Sequence, residues 1–342
     1  MRFAYIGATC DHCTETAWAN ALRALGHEVA LHVPQEQAKS RPDDFCEALV
    51  REGVSAVFYS RTHNPSTALG PEWTDRWRAL EDRGIATCSL HLDLFWGIPE
   101  REEWIASGDP LFTTQLVATP DPGDRAEWVD LVTFGDQVDL RGTHHRNLWA
   151  EAGVNHLWSP PAIDRRFANR GTPRDEYRTR YLFVGSEGYH PEYPERGELI
   201  RRARERWGDD FRTIGGATSI RGDALADVYA SADVVLGDSC FALNPERRIP
   251  GYWSDRVPET LGRGGVLVHP HGGRLLDAFP AGIWTGNGEG IDALLDLAEF
   301  VSAVPEVLDD YRDRAHASVI DGHLYEHRMA RILDALGLGE QT

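Results

Sequence analysis

Tyr252-Trp-Ser-Asp-Arg-Val-Pro-Glu-Thr-Leu-Gly-Arg-Gly-Gly-Val-Leu-Val-His-Pro-His-Gly-Gly-Arg274 reads as a loop, a short helix, a glycine turn, a buried strand and a second glycine-rich loop. Pro258 fits only in the first turn of that helix, because deeper in it would remove a backbone hydrogen bond and clash with the preceding turn. The helix is therefore expected to start near Asp255 to Val257 and to end at Gly262, Gly264 and Gly265, with Val266 to His269 as the strand. A helix start carries unsatisfied N–H groups and suits an anion, and Ser254 and Arg256 stand beside it. Glu259 follows one turn later. A phosphate neighbour next to a carboxylate suggests a nucleotide site.

Working outward, the same strand–turn–helix rhythm fills the chain. Phe3 to Ile6 is a strand ending at Gly7, and Trp18, Ala21, Leu22 and Leu25 recur at helical spacing before Gly26. Further strands are expected at 28–33, 54–59, 85–90, 128–134 and 154–158, with helices around Phe45 to Val50, Trp73 to Leu80 and Asn147 to Ala152. After Pro160-Pro161 the rhythm restarts, with strands at 181–184, 211–214 and 233–236 and helices over Leu199, Ile200 and over Leu225, Val228, Tyr229. Residues 291 to 336 read as helices. Such repeats build parallel sheets covered by helices on both faces. The expected domains are 1–165 (acceptor side), a polar linker at 166–179, a nucleotide-sugar domain at 180–318, and a C-terminal helix at 319–342 that packs back on the first domain. Ligands of open parallel sheets bind at the carboxyl ends of strands, so the expected site is an inter-domain cleft.

The totals exclude several classes. The 342 residues carry a formal charge of −19, which opposes non-specific nucleic-acid binding because that rests on Lys and Arg neutralising phosphates. No apolar run reaches the roughly 20 residues that span a bilayer. Five cysteines in a chain this long do not suggest a disulfide scaffold, and the expected home is a reducing cytoplasm.

The second half resembles a GT-B glycosyltransferase of the group-1 type, including its spore-maturation-protein-like relatives. The resemblance rests on Tyr181-Leu-Phe-Val-Gly-Ser186, Tyr229-Ala-Ser-Ala-Asp-Val-Val-Leu-Gly-Asp-Ser239, Ser254-Asp-Arg-Val-Pro-Glu259 and Gly264-Gly-Val-Leu-Val-His269, in that order. Gly108-Asp-Pro-Leu-Phe112 and the stretch from Gly153 to Asp164 match upstream, and Tyr325-Glu-His-Arg328 matches more loosely. The resemblance implies two Rossmann-like domains facing a cleft, and metal-independent transfer of a sugar from a nucleoside diphosphate, UDP or GDP, to an acceptor hydroxyl. It implies that Glu259 bonds the ribose hydroxyls, and that Ser254, Asp255 and Arg256 line the diphosphate. Gly185 and Ser186, with Arg221 and Ser239, would line the same donor pocket, and His271, Gly272 and Gly273 would bring backbone to the sugar. The family's retaining members carry a second Glu eight positions before the ribose-binding one. Here that position is Gly251, which leaves retention or inversion open.

On the acceptor side, His91 and Asp93 follow a strand, and an inverting enzyme needs such a base to take the acceptor proton. Asp11, His12, Arg61 and His63 follow other strands and are further acceptor-side candidates. Cys10-Asp-His-Cys13 has redox-pair spacing but no second pair to complete a zinc site, so it is expected to be a loop holding two thiols. Trp96 and Trp253 are expected in loops where they would stack on a sugar or base. The acceptor is open between a small molecule, a polysaccharide, a protein and a hydroxylated DNA base. No membrane partner and no metal or other cofactor are expected. The alternatives are a non-catalytic nucleotide-sugar-binding protein and a sugar-nucleotide epimerase on the same two-domain plan.

Overall fold

The computed structural model describes residues 1–62, 64–122, 147–188, 193–239, 242–244, 249, 251–270, 275–286 and 289–339. The chain forms two compact units, the first from the described residues of 1–124, 145–160 and 325–342, the second from those of 161–324.

The first unit runs β1 (Arg2–Ile6), α1 (Thr14–Ala24), β2 (Glu28–Val33), α2 (Gln35–Ser40), α3 (Pro42–Arg51), β3 (Ala56–Ser60), α4 (Trp73–Glu81), β4 (Ala86–Leu90), α5 (Pro99–Ala106), β5 (Leu116–Thr119), α6 (Leu148–Glu151) and β6 (His156–Trp158). Its sheet is parallel throughout, in the order β2-β1-β3-β4-β5-β6. Strands covered on both faces should be apolar without alternation. All five residues of β3 are indeed buried. Trp73 and Trp77 pack under the sheet from α4, and the Trp77 indole N–H donates to the Pro110 carbonyl at 3.1 Å. Three elements were not anticipated: α2, α5 and β5. β5 has four residues, too few to show a period. The strand expected at 128–134 lies outside the described residues.

The second unit runs β7 (Thr179–Val184), α7 (Glu195–Trp207), β8 (Phe211–Ile214), α8 (Ala224–Ala230), β9 (Ala232–Leu236), α9 (Arg256–Gly262), β10 (Leu267–His269), α10 (Leu275–Ala278), β11 (Ile283–Trp284), α11 (Ile291–Ser302) and α12 (Leu308–Gly322). Its sheet is also parallel, in the order β11-β10-β9-β7-β8. The chain then returns to the first unit as α13 (Tyr325–Ala335). There Tyr325 packs on Trp18 of α1 with ring centroids 4.7 Å apart, and Arg328 donates to the Pro160 carbonyl at 2.9 Å. Just before the return, Leu324 pairs with Ile163 in a parallel bridge.

Residues 166–179, expected as a solvated linker, are tied to α8. The Thr172 N–H donates to Asp227 at 2.8 Å, the Arg174 N–H donates to Ser231 at 2.8 Å, and a Cβ on Gly171 would lie 2.1 Å from the Ala226 backbone.

In each sheet the first strand has its successors on opposite sides: β1 lies between β2 and β3, and β7 lies between β8 and β9. The crossovers leave such a strand in opposite directions and open a crevice at its carboxyl end. Those two strand ends are where a ligand belongs. Among the described residues no helix is long and apolar enough to cross a membrane.

Candidate functional site

At the carboxyl ends of β7 and β9, Gly185 and Asp238 are joined by two arginines. The Arg256 guanidinium donates from Nε to the Val184 carbonyl at 2.8 Å and lies directly over Gly185. A Cβ there would fall 2.7 Å from Arg256 Nη2, and Gly185 has φ +149°, so the position requires glycine on both counts. Asp238 is 1% exposed and accepts from Arg196 Nε of α7 at 2.8 Å, while its other oxygen faces Arg256 Nη1 at 3.9 Å. Arg196 is fixed further by the Ser186 carbonyl at 3.3 Å and the Tyr193 hydroxyl at 3.1 Å. Burial alone would push the Asp238 carboxyl up, but Arg196 and Arg256 hold it below the usual carboxylate range. Two guanidiniums against one carboxylate leave one net positive charge, and Arg256 is the more open of the two.

Asp238 is held from behind. His269 Nδ1 sits 2.6 Å from the Pro270 carbonyl, which can only accept, so that nitrogen carries the proton. His269 Nε2 therefore accepts from the Ser239 hydroxyl at 2.9 Å. Ser239 Oγ in turn accepts the Ser254 N–H at 2.9 Å, and the Ser254 hydroxyl donates to the Asp238 carbonyl at 3.1 Å. Ser239 and Ser254, expected to line the diphosphate, are thus buried and spend their hydroxyls on the frame.

α9 starts where expected, at Arg256, but its first turn offers an anion less than expected. The Val257 N–H donates to the Ser254 carbonyl, Pro258 has no N–H, and the Glu259 N–H donates to the Asp255 carbonyl. Asp255, at the N-cap, makes no side-chain cap bond, and the helix has seven residues. Few N–H groups remain at this helix start, and Arg256 is the positive charge beside it. Glu259, one turn further, is half-buried. Burial and then Asp255 push its carboxyl up to about 7, opposed by Arg263, Arg221 and Arg256. Arg221 is exposed and contributes through that field. At Gly251 φ is +78°, a conformation that disfavours Glu, so the missing second carboxylate is built into the backbone. His271, Gly272 and Gly273 lie outside the described residues.

A cavity of about 240 Å³ opens beside Gly185, lined by Ser186, Glu187, Thr213, Gly215 and Gly216. Gly215 approaches Gly185 so closely that a Cβ would lie 2.1 Å from the Gly185 carbonyl oxygen.

In the first unit, His91 is 4% exposed and lies edge-on to Phe95, and Asp93 is ion-paired with Arg101 at 3.2 Å. Arg61 is buried, paired with Asp109 and stacked over Trp104 at 3.9 Å, so its guanidinium is committed inside the unit. Asp11 and His12 are exposed on the loop after β1, and His63 lies outside the described residues. Cys10 and Cys13, expected as two thiols, are joined in a disulfide. Neither tryptophan is an open stacking platform: Trp96 packs against Trp149 at 5.4 Å, and Trp253 is buried with its indole donating to the Pro161 carbonyl. Among the described residues no group of three or more His, Cys, Asp or Glu is placed to hold a metal ion.

Arg196, Asp238 and His269 were missed as site residues. The signal for Asp238 was its place in Gly237-Asp-Ser239 directly after a strand. Arg196 stood in the run of arginines on α7, where nothing separates the one inward guanidinium from its solvated neighbours.

Residues 172–334 match the family model described as glycosyl transferase-like. No curated protein matches the chain in sequence. Among solved structures, trehalose-6-phosphate from E. coli bound with UDP-2-fluoro glucose superposes with a TM-score of 0.57 at 9% identity, covering 98% of this chain and 99% of that one. The α,α-trehalose-phosphate synthase (UDP-forming) from Burkholderia xenovorans, in complex with glucose-6-phosphate, gives 0.57 at 11% identity over 98% and 100%. The N-terminal domain of Candida albicans trehalose-6-phosphate phosphatase gives 0.54 at 10% over 99% and 97%. Identities this low establish the shared fold, and the family match covers 163 of the 342 residues. The whole chain thus has the two-domain GT-B fold of these structures, and residues 172–334 are the part that matches the glycosyl transferase-like family.

Proposed function

We propose that the chain transfers a sugar from a nucleoside diphosphate sugar to an acceptor hydroxyl, with the donor held by the second unit. The observation that carries this reading is the Arg256 guanidinium laid over Gly185 and backed by the buried Asp238–Arg196 pair. A diphosphate entering at the β7 end meets a fixed positive charge, and that charge gains in value as the sugar bond breaks and negative charge grows on the leaving oxygen. The guanidiniums supply this charge, so the reading calls for no metal. Glu259, once ionised, accepts two hydroxyl donors and suits a ribose diol. The UDP named in the structural neighbours favours UDP over GDP as the carrier.

The first unit offers little for inversion, while Gly251 takes the place of the second Glu of the retaining members, so the stereochemical outcome stays open. Inversion needs a protein base, and of the two candidates Asp93 is held by Arg101 while His91 is buried. A small molecule, a polysaccharide, a protein or a hydroxylated DNA base supplies the acceptor hydroxyl. The −19 charge makes DNA the least suited of these. A cytoplasmic location goes with this reading, since nucleotide sugars would be met there. A thermal-shift series with UDP, GDP, ADP, CDP and TDP sugars tests it. One nucleotide class should raise the midpoint by several degrees, and no response to any of them would overturn the reading.

A further inference from the structure

We propose that Cys10 and Cys13 form a reversible thiol–disulfide switch on the loop after β1, opened by a monothiol of the glutathione type and closed by the corresponding disulfide. Three observations meet at that loop. The two sulfurs are joined, and the loop follows the carboxyl end of β1, the strand from which the crossovers of the first sheet diverge. Cys10 is exposed and Cys13 half-buried, so an outside thiol has one sulfur within reach. Cys13 is also the N-cap of α1, a helix of 11 residues, with extended backbone (ψ 147°) and no side-chain cap bond. The other described cysteines, Cys46 and Cys88, are free thiols whose tendency to ionise is suppressed by burial. The oxidised pair is therefore the reactive sulfur centre among the described residues.

The position of each sulfur sets the direction of the chemistry. A thiolate RS⁻ attacks the exposed Cys10 Sγ, forming a Cys10–S–S–R bond and breaking the Cys10–Cys13 bond. Cys13 leaves as a thiolate at the start of α1, where the helix field favours negative charge. A second RS⁻ attacks the R-bearing sulfur, expels the Cys10 thiolate and leaves RSSR. Two thiols lose two electrons and two protons in all, and the protein disulfide gains them. The reverse uses RSSR as oxidant, with Cys13 as the resolving thiolate.

The loop itself is what changes. Its start is anchored without the disulfide, because the Ala8 carbonyl accepts from Thr16 Oγ1 at 3.3 Å and lies 3.0 Å from His32 Nε2. Residues 9–12 are exposed, and the disulfide closes them into a tight turn against α1. Reduction removes that cross-link from the turn that carries Asp11 and His12. On the reading of the preceding subsection, this couples the acceptor side of the enzyme to the thiol balance around it while leaving the donor side alone.

The test uses the full chain equilibrated in glutathione mixtures of different ratio, then alkylated and weighed intact. Two additional alkylated thiols should appear on reduction and disappear on reoxidation. Cys13→Ser should trap one glutathione on Cys10, and Cys10→Ser, lacking the exposed sulfur, should take up glutathione roughly tenfold more slowly. Hydrogen exchange over residues 8–17 should quicken by about tenfold or more in the reduced protein. A pair that stays closed in excess dithiothreitol, a Cys13→Ser variant without adduct, or unchanged exchange would each overturn the switch. The thermal shift given by UDP-glucose should be the same in both redox states. Its absence in both would strike at the transferase reading and leave the switch standing.

Discussion

On the proposed function, Glu259 would tie donor binding to pH, and the size of the effect follows from its surroundings. Its carboxyl is pushed up to about 7, whereas the diol of a ribose needs the ionised form as a double acceptor. At pH 6 only about one molecule in eleven has the charged carboxylate, and at pH 8 about ten in eleven. If donor binds the charged form alone, the apparent dissociation constant should fall about tenfold between those values, or ~1.4 kcal/mol. UDP-glucose is the right probe because its diphosphate is esterified at both ends and does not titrate in this range. Calorimetry at pH 6, 7 and 8, in buffers of different ionisation enthalpy, reads both the affinity and the proton released. The stability sign follows from the same shift. The folded pKa lies above the unfolded value of 4.5, so the protonated group stabilises the free protein at low pH, and that contribution is lost as pH rises through about 7. The thermal shift given by donor should therefore grow over the same interval. Glu259→Gln should flatten both curves. Equal affinity at pH 6 and pH 8, or a pH dependence that survives in Glu259→Gln, would refute the ribose role.

Three other expectations rest on the arginine frame. Arg256→Ala should lower turnover more than donor affinity, since its charge matters most as the leaving group ionises, and equal losses in steady-state kinetics would mark it as an ordinary binding group. Gly185→Ala forces a side chain into a φ of +149° and against Arg256, so the affinity for UDP-glucose should drop about tenfold or more with ~1–3 kcal/mol of strain, and wild-type affinity by calorimetry would contradict the close approach. Asp238→Asn leaves Arg196 buried without its counter-charge and should cost about 3–5 kcal/mol in urea unfolding, so a loss well under that range would mean the pair is not the keystone its burial suggests.

The alternation of strands and helices was readable because buried parallel strands are apolar without interruption and glycine stands at their ends, as at Gly7, Gly185 and Gly237. The start of α9 was readable from Pro258 alone. What escaped was whatever depends on partners distant in the chain. Arg196 and Asp238 are 42 positions apart, and nothing local distinguishes an inward arginine from the exposed Arg201 and Arg204 on the same helix. Ser239 and Ser254 were found but their direction was not, since a serine after a strand can turn its hydroxyl outward to a ligand or inward to a neighbour such as His269. Trp253 sits in a loop too short to show a period, and its burial comes from Pro161 and Phe279, which reach it from other parts of the unit. For Cys10 and Cys13 the spacing was evident, but spacing carries no record of oxidation.

The return of the chain at Tyr325 has a consequence for synthesis. The described residues of the second unit all fall within 161–324, a stretch whose two ends meet at the Ile163–Leu324 bridge, whereas the first unit lacks α13 until residues beyond 324 have been made. On a ribosome the later unit can thus finish before the earlier one, reversing the usual N-to-C order. Until then Trp18 waits for Tyr325, and the Pro160 carbonyl waits for Arg328. The half that starts first is the half a nascent-chain chaperone would have to hold longest.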